Sequence, residues 1–248
     1  MWGIVMSKKL ELINALCGSA PGWPLVLYFH HVHPTLKHYT SITPKDFEEG
    51  LCLLLDNFKI IEPSVIRKRC FDWNPKEPSV LITFDDGFKD TYDFALPILN
   101  KYGVKAIFFL ITTNIGTKSS GLNPWKNYLS WAEINDLHSM GHTIGSHTLS
   151  HSALNKLSME EANYEIIHSI NTIKNKFSGD SIHFSYPYGL LPRCEIIFPE
   201  DTFAFGTVKA PANSWEKADT NIRRTYLPAG QNSKWKRLME KWRTQWYG

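Results

Sequence analysis

The sequence predicts a single α/β domain in which about seven mainly parallel strands close into a (β/α) barrel. Short apolar runs alternate with amphipathic segments from about residue 24 to the C-terminus, as in repeated βα units. No Gly/Ser linker, low-complexity run or internal repeat divides the 248 residues, so we expect one domain. A chain of this length can bury a sizeable core without a disulfide or a metal.

The apolar runs that we interpret as strands lie at 25–30, 58–61, 80–84, 106–111, 143–146, 183–186, 202–208 and 222–227. The predicted helices lie at about 44–56, 64–70, 90–102, 131–141, 159–177 and 233–246. Three of them carry N-terminal signals. Thr43 precedes a proline at the first helical position, and Ser130 and Ser158 each stand three residues before a glutamate, as in a capping box.

Composition limits the partners and the compartment. The net charge of +3 is too small to indicate a nucleic-acid partner, and we expect none. The four cysteines are scattered and form no CxxC pair, which favours a reducing compartment. We interpret residues 1–23 as an N-terminal extension, too polar for a membrane span or a secretory signal because Glu11 and Asn14 interrupt its apolar part. We therefore expect a cytoplasmic protein.

Two groups of polar residues follow predicted strands, where barrel active sites lie. Asp85, Asp86 and Gly87 follow the strand at 80–84, although an isolated DDG is more often a turn. His147 and His151 stand four residues apart after the strand at 143–146, so one helical turn would direct both imidazoles at one cation. Two histidines and a carboxylate suit zinc or a similar divalent ion, with positions left open for water and substrate. Together the two motifs predict a metal site.

A metal would let the two aspartates divide the work, because one can bind the ion while the other takes a proton from water. A third group, the segment SYPYG at 185–189, again follows a predicted strand. A backbone N–H in its tight turn could face a developing oxyanion, although alone this is only a turn motif.

TFDDG (83–87), HTLSH (147–151) and YPYG (186–189), in this order, resemble the motifs of the polysaccharide deacetylase family, which is the NodB-homology or carbohydrate esterase family 4 domain. The resemblance covers about residues 24–230, and we assign 24–248, with the helix at 233–246, to that domain. It implies a distorted (β/α) barrel that removes an acetyl group, usually from an N-acetylated sugar.

By motif match the resemblance also implies roles for single residues. The implied metal ligands are Asp86, His147 and His151. Asp85 is the implied general base. The backbone of Tyr188 is implied at the oxyanion, and Pro187 beside it would contact the substrate.

Two positions depart from the family pattern. Many members open the third motif with an Arg that orients the catalytic Asp, where this chain has Ser185. Arg224 is our candidate replacement and Arg223 the alternative; because neighbours on a strand face opposite sides, only one of them can reach the site. Many members also have a late Leu-x-His motif whose His protonates the departing amine, but here no histidine follows His183.

The segment around His30, FHHV, resembles the YHxV segment of a circularly permuted branch that includes deacetylases of poly-N-acetylglucosamine. In that branch the general acid comes from the N-terminal segment. Strand alternation places His30 on the same face as Val26 and Tyr28, so we expect His30 to enter the barrel lumen and His31 to point outward. The alternative is a strand end at which these histidines are merely solvated.

Aromatic residues give two further expectations. Trp125, in the loop at 112–129, and Trp215, before the last strand, are candidates to stack on sugar rings, although packing under long loops explains them equally well. The helix at 233–246 combines basic residues with an apolar stripe at helical spacing, which fits either packing on the barrel or peripheral contact with a membrane. The stripe consists of Trp235, Leu238, Met239, Trp242 and Trp246.

These observations predict a metal-dependent hydrolase, with zinc as the preferred ion, that removes an acetyl group from an N-acetylated sugar of a bacterial-type surface glycan or its precursor. One alternative is an O-acetyl esterase on the same scaffold. Another is a non-catalytic glycan-binding barrel, against which the intact DDG and HTLSH motifs argue.

Overall fold

The computed structural model describes residues 22–66, 77–119, 123, 125–177, 182–207 and 220–247. Nearly all of the predicted N-terminal extension, and Trp215, lie outside these described residues. The division of the chain into that extension and one domain therefore stays a prediction.

Ten strands are described, numbered here in chain order. They are β1 (Leu25–Phe29), β2 (His31–Val32), β3 (Ser41–Ile42), β4 (Lys59–Ile60), β5 (Ser79–Phe84), β6 (Ala106–Leu110), β7 (Thr143–Ser146), β8 (Ile182–Ser185), β9 (Thr202–Gly206) and β10 (Ile222–Arg223). Seven of them form a parallel sheet in the order β1-β5-β6-β7-β8-β9-β10, with β4 paired to β5, while β2 and β3 form a separate parallel pair.

The sheet nearly closes on itself beyond β10. Thr225 forms a parallel bridge with Leu27, because Tyr28 N–H donates to the Thr225 carbonyl and Thr225 N–H donates to the Val26 carbonyl, both at 2.9 Å. Single parallel strands joined through helices and brought edge to edge make a distorted (β/α) barrel. The predicted fold class is confirmed.

In the described segments five α-helices surround the sheet: α1 (Pro44–Asn57), α2 (Leu96–Lys101), α3 (Trp131–Ser139), α4 (Met159–Lys174) and α5 (Trp235–Tyr247). The N-terminal signals are confirmed, because the Thr43 hydroxyl accepts from a first-turn N–H and the Ser130 and Ser158 capping boxes are complete. Of the predicted helix at 64–70, the described part is one 3₁₀ turn, Pro63–Val65.

The segment predicted as a helix at 90–102 begins with a π-helical turn, Thr91–Ala95, before α2. Pro97 has no N–H to donate four residues back, and Leu96 N–H donates to the Thr91 carbonyl five residues back. The wider turn therefore follows from a proline placed directly after it.

The core has separate layers inside and outside the barrel. Val26, Leu81, Ile107, Phe109 and Phe205 belong to the apolar cluster inside the sheet, and a larger cluster fills the space between the sheet and the helices. Alternation along β1 is as predicted, because Leu25, Leu27 and Phe29 belong to that outer cluster.

Helix α5 packs its apolar stripe into the outer cluster. Trp235, Leu238, Met239 and Trp242 are at most 1% exposed and Trp246 is 8% exposed. The packing interpretation of this stripe is confirmed, while contact of the basic face with a membrane stays a prediction. No helix in the described part of the chain is long and apolar enough to cross a bilayer.

Candidate active site

The three sequence motifs meet at one end of the barrel. Asp85 follows β5, His147 follows β7 and Tyr186 follows β8, each at the carboxyl end of its strand. Parallel strands put all these ends on one face, which is where barrel active sites lie.

The motifs also hold most of the strained backbone. Five non-glycine residues in the described segments have a positive φ, and four of them are Asp86 (71°), Thr148 (66°), His151 (62°) and Tyr188 (59°). Left-handed backbone costs a non-glycine residue about 1–3 kcal/mol and is retained mainly where it positions functional groups. This indication of a functional site is independent of any family resemblance.

Asp86, His147 and His151 form a cluster suited to a metal ion. Asp86 Oδ1 lies 3.2 Å from His151 Nε2 and 3.4 Å from His147 Nε2, and the three candidate ligand atoms lie within 4.8 Å of one another. A tetrahedral site with bonds of about 2.1 Å has edges of about 3.4 Å between its ligands. Asp86 Oδ1 is buried without a well-directed hydrogen bond, and a cation would satisfy it. The donor set therefore fits a divalent ion such as zinc.

The buried histidine of this cluster has a fixed orientation. His147 is 1% exposed, and its Nδ1 donates to the Ser185 carbonyl at 2.8 Å, which leaves the lone pair of Nε2 directed at Asp86. Burial lowers the pKa of His147, but the neighbouring Asp85 and Asp86 outweigh it and raise that pKa. Burial likewise raises the pKa of Asp86, yet interactions with His147 and His151 hold it well below the usual value.

Asp85 has its own partner, Arg224. Two parallel hydrogen bonds of 2.7 Å join the guanidinium to both carboxylate oxygens, and the two residues are 3% and 4% exposed. Burial raises the pKa of Asp85, but the charge of Arg224, then that of His147, lowers it below the ordinary value. The carboxylate is therefore ionised at neutral pH, as a general base must be.

Arg224 occupies the place left open by Ser185. Its Nη2 donates to Ser185 Oγ at 2.7 Å and its Nη1 donates to Thr83 Oγ1 at 3.1 Å. A short serine side chain leaves room for a guanidinium arriving from the strand after β9. Of the two candidates it is Arg224, not Arg223, that reaches Asp85.

His30 lies at the end of β1 and is half-buried. Burial lowers the pKa of His30, while the charges of Asp86 and then Asp85 act in the opposite direction, so the ring lies within electrostatic range of both carboxylates. The alternative in which these histidines are merely solvated is wrong for His31, which is 1% exposed and contacts Asp90, while its direction relative to the lumen stays a prediction. Alternation does not extend across this point, because β1 ends at Phe29 and a new strand begins at His31.

The residues that we expect to contact the substrate differ in their exposure. Tyr188 is 62% exposed and its ring lies 4.7 Å from that of His151, whereas Pro187 is buried in the turn. Trp125 is half-exposed, and His38 stacks on it at 5.5 Å. Their contact with a substrate stays a prediction, as does that of Trp215.

One supporting residue had no sequence signal. Glu165 on α4 accepts from the N–H and hydroxyl of Ser150, at 3.0 and 2.6 Å, and so holds the loop that presents His151. No local spacing rule links residues 15 positions apart in a loop and a helix.

Comparison with known proteins agrees with this geometry. The polysaccharide deacetylase family model matches residues 72–194. YxkH of Bacillus subtilis (strain 168), assigned by name to the polysaccharide deacetylases, is 34% identical over 166 residues, which are 66% of this chain and 56% of that protein. The poly-β-1,6-N-acetyl-D-glucosamine N-deacetylase of Staphylococcus aureus (strain MRSA252) is 28% identical over 178 residues, 66% of this chain and 59% of that protein. The chain thus spans less than two thirds of the length of either relative.

Solved structures share the fold. IcaB from Ammonifex degensii superposes with a TM-score of 0.68 at 20% identity, covering 92% of this chain and 98% of that one. The Streptococcus pyogenes deacetylase PplD, solved in complex with acetate, superposes with a TM-score of 0.66 at 21% identity, covering 89% and 97%. A circularly permuted motif order stays a prediction. The barrel, the three motifs at its carboxyl face and the matching family model together show that the chain belongs to the polysaccharide deacetylase family.

Proposed function

We propose that the chain is a metal-dependent hydrolase that removes the acetyl group from an N-acetylated sugar of a bacterial-type surface glycan or its precursor. One observation carries the proposal: two adjacent carboxylates at one strand end have separate partners. Asp85 is fixed by Arg224, while Asp86 faces two imidazole nitrogens. Similarity to the poly-β-1,6-N-acetyl-D-glucosamine N-deacetylase supports the choice of glycan.

The residues divide the reaction as follows. Asp86, His147 and His151 would hold a divalent ion, most suitably zinc, which supplies Lewis acidity for the acetyl carbonyl and for water. Asp85, kept ionised and oriented by Arg224, takes the proton of the attacking water. The backbone N–H in the left-handed turn at Tyr188 faces the oxyanion that develops on the acetyl oxygen.

Departure of the sugar amine needs a proton, which His30 supplies as the C–N bond breaks, leaving acetate and a free amine. A lowered pKa makes the His30 imidazolium a stronger acid, and the charges of Asp86 and Asp85 keep that protonated form accessible. The leaving group of an ester is an alkoxide, which demands less of the acid than the amine of an amide does. How strongly turnover depends on His30 is therefore set by the substrate.

Acetate release from N-acetylated and O-acetylated oligosaccharides tests the proposal. With zinc added, the wild type should release acetate from the N-acetylated sugar, and Asp85→Asn should lower that turnover by about 10²–10⁴-fold. Asp93→Asn is the matched control, because Asp93 is an exposed carboxylate paired with Lys89 one helical turn away. Release from O-acetylated sugars alone would establish the esterase alternative. Binding of glycan without any turnover in the presence of metal would establish the non-catalytic barrel.

A further inference from the structure

We propose that the buried pair His31–Asp90 is a clamp that fixes His30 relative to the Asp85–Asp86 turn, which makes both members positioning residues for the acid step. This inference rests on the proposed function, in which His30 is the acid. Neither residue lies among the groups that hold the metal or the base.

The pair joins the two segments that have to be aligned. His31 Nδ1 and Asp90 Oδ2 are 2.7 Å apart, and the residues are 1% and 8% exposed. The His31 ring also stacks on Phe88, with centroids 3.8 Å apart and planes at 21°. Phe88 and Asp90 both follow the DDG turn directly, and His31 is covalently next to His30. One imidazole therefore links the segment of the acid to the segment of the base.

Backbone pairing alone leaves this alignment loose. The ladder between β1 and β5 runs to the Phe29–Phe84 pair, and Asp85 N–H then donates to the Phe29 carbonyl at 2.8 Å. His30 and Asp86 lie beyond that bond, and no further backbone hydrogen bond between the two segments is described. The His31 ring supplies a contact between them beyond this point.

The chemistry of the pair is more specific than packing requires. An apolar ring would stack on Phe88 equally well, whereas burying a carboxylate beside an imidazole carries a desolvation cost. Asp90 Oδ1 is buried and lacks a hydrogen-bond partner in the part of the chain described, so the carboxylate is directed at His31. Trp125, at 5.7 Å, and His38, at 6.0 Å, contact the same ring from the other loops.

A misplaced acid affects substrates unequally. A displacement of about 1 Å at a reacting group costs on the order of 10²-fold in rate. Cleavage of an amide depends on the acid, but 4-nitrophenyl acetate loses a stable phenolate that needs no proton. Loss of the clamp should therefore slow amide cleavage selectively, whereas a damaged metal site or a lower folded fraction slows both substrates together.

The test uses zinc-loaded protein with Asp90→Asn and His31→Phe, the second of which keeps the stack on Phe88 and removes the hydrogen bond. Asp93→Asn serves as the control. Amide hydrogen exchange is followed in residues 29–33 and 85–88, and turnover is measured on an N-acetylated oligosaccharide and on 4-nitrophenyl acetate. We expect exchange in both segments to rise by about tenfold and the ratio of amide to ester turnover to fall by on the order of 10-fold or more, without either change in the control.

Unchanged exchange in the two segments, or a parallel loss on both substrates, would overturn the clamp. His30→Ala separates this failure from that of the proposed function. If His30→Ala lowers amide and ester turnover equally, His30 is not the acid, whatever the exchange data show for the pair. If His30→Ala is selective for the amide and Asp90→Asn is not, the acid assignment stands and the clamp is refuted.

Discussion

The ion pair between Arg224 and Asp85 gives the sharpest single prediction. Both residues are buried, and four hydrogen bonds leave the guanidinium, two to Asp85 and one each to Thr83 and Ser185. Removing one partner of a buried pair costs about 3–5 kcal/mol, because the other charge stays buried alone. For a domain of this size Arg224→Ala should therefore lower Tm by roughly 6–20 °C.

The same change should remove the base. The charge of Arg224 is the largest influence that lowers the pKa of Asp85, and without it the effect of burial raises that pKa. The carboxylate also loses both of the hydrogen bonds that orient it, and turnover should therefore fall by about 10²–10⁴-fold even in the fraction that remains folded. Arg224→Lys should recover only part of it, because an ammonium cannot form the two parallel bonds.

Thermal unfolding and acetate release below the lowered Tm separate the two effects. Arg223→Ala is the matched control, because Arg223 is the adjacent arginine, its side chain is half-exposed, and both described side-chain hydrogen bonds of Asp85 go to Arg224. Wild-type turnover in folded Arg224→Ala, or an equal loss in Arg223→Ala, would refute the assignment of Arg224 to the base.

Two further predictions concern stability. His142 is buried, its Nδ1 accepts from Ala106 N–H, and burial lowers its pKa to about 4. Because the unfolded state binds the proton first as the pH falls from 6.5 to about 4, the wild type should lose roughly 3 kcal/mol over this window relative to its value at pH 7. His142→Asn keeps an acceptor and should lack that loss in urea unfolding; equal pH dependence in both proteins would contradict it. Trp242 is fully buried, so Trp242→Ala should cost about 3–5 kcal/mol and leave liposome flotation unchanged. Flotation lost in that variant, while it stays folded, would instead support a membrane contact by α5.

The sequence was most informative where chemistry and strand ends coincide. DDG, HTLSH and YPYG each follow an apolar run, and parallel strands bring such positions to one face whatever the details of the loops. The capping boxes at Ser130 and Ser158 are equally local, because each needs only two side chains on one turn.

What the sequence could not predict depends on register between distant segments. Alternation shows that only one of Arg223 and Arg224 can face the lumen. Which of them does so depends on the register in which the segment after β10 pairs with β1, at the bridge between Thr225 and Leu27. The environment of His31 was not predictable, because the strand breaks after Phe29 and the partner of His31, Asp90, is 59 positions away along the chain. The contacts of Glu165 with Ser150 need the helix and the loop in their final positions.

The most direct test of the central claim is metal binding coupled to turnover. Chelated wild-type protein should bind one zinc ion per chain in calorimetric titration and regain acetate release from an N-acetylated oligosaccharide as the site fills. Asp86→Asn should lose on the order of 10-fold or more in zinc affinity together with that activity. Acetate release by metal-free protein, or undiminished zinc affinity in Asp86→Asn, would contradict a site built from Asp86, His147 and His151.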